Sequence, residues 1–76
     1  MTQMKTYTYT IHTDAVMQDI EATTADEAAA IFAQDEFPRA GVAGVADLFA
    51  HIESIGDGAW CWIESDDAPD GARQAC

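Results

Sequence analysis

The chain has 76 residues, room for one domain with one small core. Apolar residues make up 49% of it, enough for a globular fold, but 14 Asp and Glu against 3 Lys and Arg give a formal net charge of −11. Such a surface repels DNA, RNA and anionic membranes, so direct nucleic-acid binding is excluded and the natural partner is a basic protein surface.

Residues 6–12, Thr-Tyr-Thr-Tyr-Thr-Ile-His, alternate strictly among β-favouring types, which predicts a half-buried strand. Tyr7, Tyr9 and Ile11 share one face, and Thr6, Thr8 and Thr10 the other. Thr13-Asp14 predicts a tight turn into a second strand over 15–22. With these two residues as the loop, Ile11 pairs with Val16 and Tyr7 with Ile20, while Met17, Asp19 and Glu21 point the other way.

Thr24-Ala25-Asp26-Glu27 is a capping box, and it predicts a helix starting at about Ala25. Asp26 and Glu27 also complement the helix dipole. Pro38 stops the helix near Glu36, and Ala28, Ile31 and Phe32 are expected to face the sheet.

The next stretch fits two patterns. Val45, Leu48, Phe49 and Ile52 follow a helical period, whereas Ala50, Ile52 and Ser54 follow a strand period. Asp57-Gly58 is a strong hairpin signal and favours a strand from about Phe49 to Gly56, with at most an extra short helical turn around 42–48. That hairpin pairs Ile55 with Trp60, Glu53 with Trp62, Ile52 with Ile63 and His51 with Glu64. Leu48, Ala50, Ile52, Cys61 and Ile63 then form its core face. From Asp66 the tail is polar and aperiodic, and residues 66–76 are expected to be loose. The expected fold is therefore α+β in the order ββαββ, one helix packed on a four-stranded antiparallel sheet, in a single domain over 1–76.

No catalytic constellation stands out, and the expectation is a protein with no enzymatic activity, metal or cofactor. His12 and His51 belong to neither an HExxH nor a Cys-His spacing. Cys61 has no base beside it in sequence and reads as a small buried thiol. Cys61 and Cys76 are too few for a disulfide framework. GVAG and GDG lack the lysine of a phosphate-binding loop. No stretch reaches the ~18 apolar residues of a membrane span. The opening MTQMKTYTYT lacks the apolar core of a signal peptide, so a cytoplasmic protein is expected.

Charge patterning carries the functional reading. In the registers above, the sheet face away from the helix collects Asp19, Glu21, Glu53 and Glu64, beside Trp60, Trp62, Met17 and Ile55. Carboxylates held in rows on a scaffold can occupy sites built for phosphates, and tryptophans beside them can anchor an interface. Asp35 and Glu36 on the helix, and Asp66 and Asp67 in the tail, are the next candidates for partner contact. The competing readings are a merely solvated face, acidity of the halophilic housekeeping type, and a dimer with Trp60 and Trp62 inside. A monomer is the favoured state.

The hairpin, the passage Glu21-Ala22-Thr23-Thr24-Ala25-Asp26-Glu27-Ala28 into the helix, and Ile52-Glu53-Ser54-Ile55 leading through Gly56-Asp57-Gly58 to Trp60 resemble the small anti-CRISPR proteins of phages and other mobile elements. The resemblance covers roughly residues 5–65, and the acidic composition is similar to the members that mimic DNA. It implies a stoichiometric inhibitor of a type I CRISPR surveillance complex, Cascade, that blocks access to target DNA in the bacterial cytoplasm. The residues alone also suit a mimic aimed at another basic nucleic-acid-binding protein, such as a restriction enzyme or a repressor.

Overall fold

A computed structural model describes residues 5–69 and the backbone of 73–74. The chain runs β1 (Tyr7–Thr13), β2 (Met17–Ala22), α1 (Ala25–Glu36), α2 (Val45–Ile55) and β3 (Cys61–Glu64), followed by a two-residue segment, β4 (Arg73–Gln74). The class is α+β. Strands β2, β1 and β3 form an antiparallel sheet in that order, and Arg73–Gln74 pairs with the outer edge of β3. Of the tail expected to be loose, Asp66–Pro69 and the Arg73–Gln74 backbone are described, and the rest lies outside the described residues.

The first hairpin forms because Thr13 builds its turn. Its Oγ1 accepts from the amides of Ala15 at 3.1 Å and Val16 at 3.0 Å, and its own N–H donates to the Val16 carbonyl at 2.7 Å. A threonine hydroxyl bonding the backbone ahead of it is a common way to close a turn. The loop therefore sits at Asp14-Ala15, one residue later than the Thr13-Asp14 read from sequence. Ile11 pairs with Gln18 and Tyr9 with Ile20, in place of the expected Ile11–Val16 and Tyr7–Ile20 pairs. A shift of two in partner number preserves the facing of every side chain. Tyr9, Ile11 and Ile20 are accordingly buried, and Met17, Asp19 and Glu21 are exposed.

Helix α1 begins where the capping box places it. Thr24 Oγ1 accepts from the Glu27 amide at 3.1 Å, and Glu27 Oε1 reaches back to the Thr23 amide at 2.9 Å. The helix buries Ala25, Ala28, Ala29, Phe32 and Ala33. Ile31, expected to face the sheet, is instead 40% exposed, because the small stripe flanking Phe32 lies against β1 and β2.

The second expected hairpin does not form. Residues 45–55 are a continuous helix, so the order is ββααβ through β3 and the strand expected from Phe49 to Gly56 is absent. Leu48 and Ile52 enter the core beside Phe32, Cys61 and Ile63, whereas Ala50, assigned to the core face of that strand, is exposed. The helical period of Val45, Leu48, Phe49 and Ile52 prevails because that stripe completes the cover on the face already occupied by α1. The Gly56-Asp57-Gly58 turn is present. All three residues have positive φ, at 72°, 56° and 78°, and Ala59 N–H donates to the Gly56 carbonyl at 3.0 Å. Two central residues with positive φ suit the tight hairpin turn expected there, but here the turn joins a helix to a strand.

Both helices contribute to one core on one face of the sheet, built on Tyr9, Ile11, Ile20, Ala22, Cys61 and Ile63. The opposite face is left uncovered by either helix.

Candidate functional site

The uncovered face is set by strand alternation. Thr8, Thr10 and His12 point outward from β1, Met17, Asp19 and Glu21 from β2, and Trp62 and Glu64 from β3. The register lines them up in cross-strand rows. One row is Met17, His12 and Trp62, and the next is Asp19, Thr10 and Glu64. Neighbouring strands lie ~4.8 Å apart, so Asp19 and Glu64 are roughly 10 Å from each other across Thr10, and Glu21 follows Asp19 by ~6.7 Å along β2.

The face is divided into two regions. At one end Met17 is 67% and Trp60 43% exposed. Here His12, Trp60, Trp62 and Glu64 line an open pocket of ≈ 270 Å³. At the other end Thr8, Thr10, Glu64, Ser65, Asp66 and Asp67 line a second depression of ≈ 270 Å³. Glu64 belongs to both.

Neutral donors hold the carboxylates in place. Thr10 Oγ1 donates to Asp19 Oδ1 at 2.7 Å, and Trp62 Nε1 donates to Glu64 Oε2 at 2.8 Å. Ser65 Oγ lies 2.7 Å from the Thr8 carbonyl and 2.9 Å from Asp67 Oδ1, and it accepts from the Ala68 amide at 3.2 Å. These bonds tie the Ser65–Ala68 turn to β1 and bring Asp66 and Asp67 to the edge of the acidic region. Each such bond uses one of a carboxylate's roughly four acceptor sites.

Of the residues expected to contact a partner, Asp19, Glu21, Glu64, Trp60, Trp62, Asp66 and Asp67 gather on or beside this face. Glu53 does not. It is exposed on α2, as is Ile55, and the hairpin that would have placed both on the sheet face is absent. Asp35 and Glu36 are exposed in the last turn of α1, separate from the sheet. Thr8, Thr10 and His12 were not among the expected contact residues, although their alternation with Tyr7, Tyr9 and Ile11 already marked them as outward.

Several of the other acids have local duties. Glu27 completes the α1 cap, Asp47 Oδ2 accepts from the Ala43 amide at 3.0 Å ahead of α2, and Asp57 occupies the positive-φ turn. Asp26 caps α2 from α1: its Oδ1 accepts from the Val45 amide at 2.9 Å. Among the described residues, no group of three or more His, Cys, Asp or Glu is placed to hold a metal ion. No described helix is long and apolar enough to cross a membrane. Comparison with family models, curated proteins and solved structures finds no match to this chain.

Proposed function

We propose that this chain acts without catalysis, as an acidic surface that occupies a basic, phosphate-gripping groove on a protein that handles nucleic acid. A type I CRISPR surveillance complex in the bacterial cytoplasm, the target implied by the anti-CRISPR resemblance, is the first partner to test. The observation that carries the reading is a cluster of carboxylates, although Asp35, Glu36 and Glu53 are exposed elsewhere on the helices. Asp26, Glu27 and Asp47 are engaged at helix starts, whereas Asp19, Glu21, Glu64, Asp66 and Asp67 cluster on one uncovered sheet face beside exposed Trp60.

A groove that binds DNA gains much of its affinity by neutralising phosphates. An acidic protein seated in it removes that contribution without any base-specific contact. The test is DNA binding by the purified surveillance complex with and without saturating amounts of this protein. The expected result is loss of DNA binding, restored when Asp19, Glu21 and Glu64 are all changed to Lys. Undiminished DNA binding at saturation rejects mimicry.

A further inference from the structure

The pocket at the Trp60–Trp62 end of the sheet face has a chemistry that the proposed function does not require. Charge attraction to a phosphate-gripping groove needs carboxylates alone, yet Glu64 stands against aromatic rings. His12 and Trp62 are cross-strand neighbours, Trp60 precedes β3 on the same side, and Glu64 closes the ≈ 270 Å³ pocket that these residues line. Trp62 Nε1 holds Glu64 Oε2 at 2.8 Å, which fixes the carboxylate relative to the indole.

We infer that this pocket receives an arginine side chain of the basic partner, its guanidinium stacked on the Trp60–Trp62 surface and hydrogen-bonded to Glu64. The inference deepens the proposed function and rests on it. An indole face attracts a cation through its quadrupole. A planar guanidinium also stacks on the ring while its fork of N–H groups reaches a carboxylate in the same plane. The compact ammonium of lysine can make the ion pair but cannot stack, and it gives up hydration more reluctantly. Charge decides between a basic partner and a second copy of this chain as occupant. Joining two such faces would bring together two chains that each carry a formal net charge of −11, with acidic residues on both sides of the contact.

The test compares octa-arginine and octa-lysine, both with blocked termini, titrated into the protein at low salt and followed by tryptophan fluorescence. Octa-arginine is expected to bind about two- to fivefold more tightly, the margin of a partly exposed cation–aromatic contact. Trp60→Ala should bring that ratio close to one while changing octa-lysine affinity little. Trp60→Phe should keep most of the preference, and Glu64→Gln should lower it. Reversing Asp19 and Glu21 should weaken both peptides by a common factor and leave the ratio unchanged. A wild-type ratio of one, or a preference that survives Trp60→Ala, overturns the pocket assignment even if DNA competition holds. A preserved arginine preference without DNA competition rejects the proposed function and leaves the pocket standing.

Discussion

Asp26 in the first turn of α1 accepts a hydrogen bond from the Val45 amide in the first turn of α2, at 2.9 Å and 19 residues apart in sequence. Gly44, the residue at the start of α2, provides no side-chain cap, and a Cβ added there would lie 2.9 Å from Asp26 Oδ1. The missing side chain lets a carboxylate from another helix do the capping. One acid thereby serves two helix N-termini, whose partial positive charge favours a carboxylate.

This arrangement predicts a non-additive pair. Asp26→Ala should cost about 1 kcal/mol, the usual loss for an N-terminal cap. Gly44→Ala should cost about 1–2 kcal/mol, from displacement of the carboxylate together with the poor capping of alanine. In the Asp26→Ala background, Gly44→Ala should cost clearly less, because the group it collides with is gone. Urea unfolding of the four proteins measures the coupling, and strictly additive costs would contradict it.

The helical state of 45–55 separates two substitutions that a strand would treat alike. Leu48 is fully buried, so Leu48→Ala should cost about 2–5 kcal/mol. Ala50 is exposed, so Ala50→Lys should change stability by no more than about 0.5 kcal/mol. Had these residues formed the expected strand, both would lie in the core and the lysine would be the more damaging. Thermal or urea unfolding distinguishes the two outcomes.

Gly56 has φ 72° and ψ −157°, a region open in practice only to glycine. Gly56→Ala should cost about 1–3 kcal/mol. Asp57→Asn should be close to neutral, since asparagine tolerates the φ of 56° at least as well as aspartate. Equal costs at the two positions would mean that the turn relaxes when substituted.

Affinity for the basic partner should fall steeply with added salt, since ions screen exposed charges over a Debye length of ~8 Å at physiological strength. Single reversals on the face should have small effects, because exposed ion pairs contribute only ~0–1 kcal/mol each. Reversing Asp19, Glu21 and Glu64 together should have a large one. Glu53→Lys, on α2, should matter much less than the triple reversal. Isothermal titration at several salt concentrations measures these effects. An affinity insensitive to salt would move the weight of binding to Met17, Trp60 and Trp62.

Much of this was legible in the sequence because it depends on local periods. Alternation over 6–12, and the register it set for the strand expected over 15–22, specified which side chains face out, and the facing held even though Thr13 moved the loop by one residue, because the change in partner number was even. The capping box and Pro38 bounded α1, since caps and stops act within one turn. The Asp57-Gly58 turn was equally local. What the tertiary structure decided was the state of 45–55, where helical and strand periods overlap on Leu48 and Ile52. The uncovered apolar sheet surface beside α1 favours a second helix there, and the Asp26 cap that helps to start that helix comes from 19 residues away in sequence, beyond any local pattern. That choice in turn removed Glu53 and Ile55 from the sheet face. It left the acidic row to Asp19 and Glu64, brought against Thr10 by strand pairing that no local pattern encodes.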